Sequence, residues 1–132
     1  MKAGLDTSMV LRLLTGEPQE LAQCALSEVQ KRIAHGDKLF VSDLVAAEAY
    51  FALQHHYGMP KAEVLALLAG FLHECGIKSL GSSMTVLATP NLASVKPGFV
   101  DRLIHAEYRK HADEMLTCEK AAGRLTGTRV LV

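Results

Sequence analysis

The sequence has no tryptophan, and aromatics make up only 5% of it. Its core must therefore be aliphatic, built from Leu, Val, Ala and Ile. It also has no excess of either charge: 14 Lys and Arg balance 14 Asp and Glu, a formal net charge of zero. A strongly basic chain would point to nucleic acid by bulk charge alone. Here any such reading must rest on local clusters. Neutrality leaves self-repulsion weak, which is compatible with association between copies. No apolar run approaches the roughly 20 residues of a membrane span. The opening Met1-Lys2-Ala3-Gly4-Leu5-Asp6 puts a charge inside what would have to be the apolar region of a signal peptide. The expected location is cytoplasmic, without membrane contact.

Cysteine is scarce and unpaired in pattern. Cys24, Cys75 and Cys118 are odd in number and widely spaced, and no CxxC or Cys/His spacing suggests zinc. They are expected to be buried, reduced thiols. There is no HExxH, no GxSxG elbow, and no Walker or GxGxxG loop. The pair His55-His56 suits a helix end, where imidazole complements the dipole. The other histidines have no second His or Cys at i,i+4.

What is present is an ordinary globular balance, 49% hydrophobic and 21% charged over 132 residues. That fits one domain, residues 1–132, able to bury a core without disulfides. Punctuation falls at Gly16-Glu17-Pro18, His35-Gly36-Asp37, Tyr57-Gly58-Met59-Pro60, Gly76, Thr89-Pro90 and Lys96-Pro97-Gly98. Between these marks the pattern predicts helices over 9–14, 18–35, 42–56, 60–74, 84–92 and 99–111. In the second, Leu21, Ala25, Leu26, Val29 and Ile33 recur at helical spacing. Short apolar runs at 3–5, 39–41, 77–80, 114–117 and 129–132 alternate with the helices. That alternation predicts an α/β fold, a parallel sheet covered by helices on both faces.

Sites in such folds form beyond the carboxyl ends of the strands. Asp6 follows the first predicted strand, Asp43 the second and Glu119 the fourth, while Asp101 opens the helix before the fourth. Glu48 lies in the apolar stretch Leu44-Val45-Ala46-Ala47-Glu48-Ala49-Tyr50, which places it near a pocket or beside a buried partner such as an arginine. Asp6 and Asp101 have a second reading, as a helix cap and a dipole partner. Asp43 reads as a surface or capping residue. Converging carboxylates need a cation or a basic partner. Oxygen ligands suit Mg²⁺ or Mn²⁺, which support hydrolysis of phosphodiesters. Arg12, Lys96, Arg102, Arg109, Lys110, Lys120, Arg124 and Arg129 offer a basic rim for a phosphate backbone.

Four segments resemble the PIN-domain family, and within it the VapC-like toxin ribonucleases. Gly4-Leu5-Asp6-Thr7-Ser8 is similar to its opening motif, with Ser8 where Asn is commoner. Phe40 to Glu48 resembles the second, with Glu48 in the acidic position. Val100-Asp101-Arg102-Leu103 resembles the third. Leu116-Thr117-Cys118-Glu119 resembles the last, with Glu119 where Asp is usual. The resemblance spans nearly the whole chain and implies a Rossmann-like three-layer α/β/α sandwich with a central, mostly parallel sheet. It implies a Mg²⁺- or Mn²⁺-dependent endoribonuclease, the toxin of a bacterial pair, forming a homodimer inhibited by a cognate antitoxin. By similarity, Asp6, Glu48 and Asp101 are the expected metal ligands, with Glu119 as a fourth catalytic acid and Ser8 and Thr117 in support. The Glu at 119 favours one alternative, a PIN-like binding module that has lost catalysis and acts through a partner protein. A phosphorylatable receiver domain needs an Asp ending the third strand, and Ile77-Lys78-Ser79-Leu80-Gly81 has none.

Overall fold

The computed structural model describes residues 1–74 and 76–131. Five strands alternate with six helices: β1 Lys2–Gly4, α1 Thr7–Thr15, α2 Gln19–Ala34, β2 Lys38–Val41, α3 Asp43–His55, α4 Lys61–Leu72, β3 Ile77–Ser79, α5 Ser83–Leu87, α6 Phe99–His111, β4 Met115–Thr117 and β5 Thr128–Val130. A short 3₁₀ turn, Lys120–Arg124, joins the last two strands. The fold is mixed α/β, a parallel sheet flanked by helices, as the alternation predicts. The sheet order is β1-β2-β3, parallel throughout, with Leu39 opposite both Ala3 and Ile77.

The strands fall into two groups. Among the described residues, β4 and β5 form a separate parallel pair, with Leu116 opposite Arg129. Each of the five strands has only three or four residues. Such short strands make few ladder bonds, and the two groups meet through helix packing rather than through one continuous ladder.

β2 has neighbours on both edges, and its Leu39 and Val41 are buried. Around it pack Val10 of α1, Ala46, Ala49 and Leu53 of α3, Val64 and Leu68 of α4, and Phe99 and Leu103 of α6. The core is aliphatic apart from Tyr50 and Phe99, whose rings meet with centroids 5.1 Å apart. No helix among the described residues is long and apolar enough to cross a membrane.

Three local expectations shift. Leu21 and Leu26 stay exposed; α2 instead buries Ala22, Ala25 and Val29. The predicted helix at 84–92 stops at Leu87. Pro90 disfavours helical backbone at the residue before it and has no amide to donate. The cysteines are not uniformly buried: Cys24 and Cys118 are exposed free thiols, and Cys75 lies outside the described residues.

Asp43, read from sequence as a surface or capping acid, braces the sheet. It accepts from the amides of Ser82 and Ser83, at 2.9 Å each, and from the Ser83 hydroxyl at 2.6 Å. Those bonds fasten the segment after β3 to the start of α3. A Cβ at Gly81 would collide with the Asp43 carboxylate, so only glycine fits there without a shift. Ser83 is fully buried. Removing the acceptor strands its donors, each at about 1–3 kcal/mol. Asp43→Ala is therefore expected to cost at least about 2 kcal/mol, seen as a lower urea midpoint at unchanged slope.

Candidate active site

β1 ends at Gly4, and Asp6 caps α1. Its Oδ1 accepts the Met9 amide at 3.0 Å and the Ser8 hydroxyl at 2.7 Å. These donors favour the charged form, so the Asp6 carboxyl titrates below its ordinary value, the Ser8 hydroxyl first and the Met9 amide second. The capping reading of Asp6 therefore holds, and its Oδ2 has no hydrogen bond among the described residues.

Ser42 caps α3 after β2, its hydroxyl accepting the Val45 amide at 3.2 Å. Glu48 follows on α3, exposed to solvent, with no buried arginine beside it. Its partner is Thr7, whose Oγ1 donates to Glu48 Oε1 at 2.9 Å. Asp6 and Glu48 are thus tied to one another through the first residue of α1.

Asp101 and Glu119 form a second pair. Both line a cleft of about 340 Å³, together with Phe51, Lys61 and Lys96. Asp101 lies in the first turn of α6, where its charge complements the helix dipole. Glu119 follows β4, and its amide donates to Thr117 Oγ1 at 3.0 Å. Its carboxylate makes no capping bond to the 3₁₀ turn that follows. Tyr50, buried on the floor of this cleft, connects it to α3. Burial pushes the Tyr50 phenol above its ordinary value, Gln54 works against that, and the charge of Asp101 adds to it.

Glu48 and Phe51 stand three residues apart on α3, on neighbouring positions of one helix face, so Glu48 stands next to a residue of the cleft that Asp101 and Glu119 line. Among the described residues, however, no three His, Cys, Asp or Glu side chains stand close enough to share one metal ion. The donor chemistry, all carboxylate, suits a hard cation. Mg²⁺ is commonly held by one or two carboxylates, with water and substrate phosphate completing its shell. Asp6 and Glu48 are donors of the kind such an ion takes. They do not form a closed cage with Asp101.

The basic rim is smaller than the sequence suggests. Lys96 lines the cleft; Arg12 instead lines the groove between α1 and α2. Arg102 donates to the Pro97 carbonyl at 2.7 Å and Arg124 to the Lys96 carbonyl at 3.2 Å, so both brace the loop that carries Lys96. Sequence reasoning missed Thr7, Phe51 and Lys61. Thr7 had a signal, a hydroxyl directly after Asp6, but only folding brings α3 against it. Lys61 opens α4 and reaches the cleft from a distant part of the chain.

Ser8→Ala removes the largest cause of the depressed Asp6 value. The Asp6 carboxyl is expected to titrate closer to an ordinary carboxylate, by carbon-detected NMR, with the Met9 amide still holding it partly down. The sign follows from linkage: a depressed folded-state value stabilises above the unfolded value, and that stability is lost as pH falls through the folded value. Relative to the wild type, the variant should accordingly lose stability at neutral and alkaline pH, and the difference should vanish as pH falls through the depressed Asp6 value.

No protein-family model matches the chain, and no curated protein matches it in sequence. A crystal structure of VapBC2 from Rickettsia felis, bound to a DNA fragment from their promoter, overlays on 99% of this chain and 98% of that one, at 16% identity and a TM-score of 0.44. An overlay that loose carries no argument about this chain, and the family remains a resemblance borne by the four motifs.

Proposed function

We propose that this protein is a divalent-cation-dependent endoribonuclease that hydrolyses RNA phosphodiesters, acting as the toxin of a bacterial toxin–antitoxin pair. In this reading it works as a homodimer and is restrained by a cognate antitoxin protein. One observation carries the chemistry. Glu48 of α3 accepts the hydroxyl of Thr7, the residue directly after Asp6, at the carboxyl end of a parallel sheet, and Phe51, three residues on along α3, lines the cleft that holds Asp101 and Glu119.

Asp6 and Glu48 would hold Mg²⁺ or Mn²⁺. Such an ion, when bound, lowers the pKa of water and offsets charge on a phosphate oxygen. Ser8 holds Asp6 Oδ1 and Thr7 holds Glu48 Oε1, which restricts both carboxylates before a ligand arrives. Asp101 and Glu119 lie across the cleft, where they can orient a water or contribute to a second ion. Lys61 and Lys96 offset the acids and hold a phosphate backbone.

Asp6→Asn is the decisive variant. Loss of an outer-shell partner costs roughly 10–100-fold in affinity or activity; loss of a direct ligand should cost at least about 100-fold. Mg²⁺-dependent cleavage of single-stranded RNA by Asp6→Asn at the wild-type rate would refute the nuclease reading.

A second reading has its own support: a binding module that keeps the fold without catalysis. Glu119 in place of the usual Asp favours it, as does the lack of a three-carboxylate group among the described residues. Calorimetry separates the two. The nuclease should bind Mn²⁺ with heat that disappears in Asp6→Asn, and the module should bind none.

A further inference from the structure

We propose that Phe51 is a stacking platform for one unpaired base, which restricts the cleft to single-stranded RNA. The inference deepens the nuclease reading and rests on it for the identity of the ligand.

Aromatics are rare in this chain, four Phe and three Tyr. Phe99 and Tyr50 are buried core residues. Phe51, by contrast, is 45% exposed, although it belongs to a helix that buries its neighbours Ala49, Tyr50 and Leu53. It opens on the same cleft as Lys61, Lys96, Asp101 and Glu119. Its ring is already held in place. Tyr50 meets it at 5.3 Å and 63°, and His55, one turn on, stacks at 6.2 Å and 17°. A ring held by one edge-on and one stacked neighbour, with 45% of the residue exposed, loses little freedom when a flat ligand lands on it.

The surroundings select the ligand. Two lysines and two carboxylates leave the cleft formally neutral, so bulk attraction to phosphate is weak and contact with a base must supply affinity. Every base has a π-face, so stacking on an aromatic ring tolerates sequence. In an A-form duplex those faces are covered by neighbouring bases, and only unstacked bases in single strands, loops or bulges can reach a protein ring. Lys61 and Lys96 are placed to take the phosphates that flank the stacked base. The scissile bond then lies within one helical turn of Glu48, which sits on the same face of α3 as Phe51.

The absence of tryptophan makes the test direct, because Phe51→Trp introduces the only indole in the protein. Its emission is followed while a short unlabelled RNA is added in EDTA, so that the strand stays intact. Three ligands are compared: the single strand, the same strand annealed to its complement, and a strand with all bases removed. Binding is followed independently by anisotropy of a labelled copy with the wild type, Phe51→Trp and Phe51→Leu. Thermal melts check that the variants fold.

Single-strand quenching of the indole, little with duplex and none with the abasic strand, is the expected result. Phe51→Leu should bind the single strand roughly 5- to 100-fold more weakly, and Phe51→Trp should bind as well as the wild type or better. A merely structural Phe51 would shift the melts of both variants and leave the indole silent to RNA. Strand binding with an unchanged emission overturns the proposal, as does Phe51→Leu that binds like the wild type. Neither outcome touches the nuclease reading, which stands or falls on Asp6→Asn. No strand binding by the wild type at low salt overturns the stacking proposal as well.

Discussion

Parallel pairing of such short strands constrains everything else in this molecule. A parallel neighbour can be reached only by a crossover, and here each crossover is helical. With three or four residues per strand, the chain must turn into a helix almost as soon as the ladder ends. The helix starts crowd along the carboxyl edge of the sheet, and the residues that cap them are brought close together. Asp6, Ser42 and Asp43 are all consequences of that geometry.

The same constraint explains how two kinds of acid come to coexist. Asp43 turns inward and is consumed by three donors after β3. Asp6 and Glu48 stay exposed, each with one oxygen committed to a hydroxyl and the other unengaged. A committed acid stabilises the fold; an acid with a free oxygen retains the capacity to meet a ligand. The distinction lies in partners and in burial rather than in residue type.

The cleft continues this division of labour. Arg102 and Arg124 spend their donors on backbone carbonyls of the loop before α6, leaving Lys96 on that loop to face the opening. Thr117 fixes the amide of Glu119 and so sets where its carboxylate enters the cleft. Positive charge near the acids is therefore sparse and placed, which agrees with a chain whose formal charge is zero.

Much of the fold could be read from the residues in order. The strand at Leu39–Val41, the helix after Asp43 and the helix from Phe99 all carry local apolar periodicity, and such periodicity reports which side of an element is buried. Asp6 was legible as both cap and acid because both properties depend on its immediate neighbours. Other features depend on distance in the chain. The Thr7 bond to Glu48 spans 41 residues, and Lys61 and Asp101 come to line one cleft only because α4 and α6 both pack on α3. The exposure of Leu21 and Leu26 likewise depends on which side of α2 meets α1. Sequence by itself determined most of the elements and the aliphatic core. Tertiary structure decided that Glu48 meets Thr7, that Asp101 and Glu119 line one cleft, and that β4 and β5 form their own ladder. Which side chains meet is set by how helices pack, and helical packing is invisible to any window of neighbouring residues.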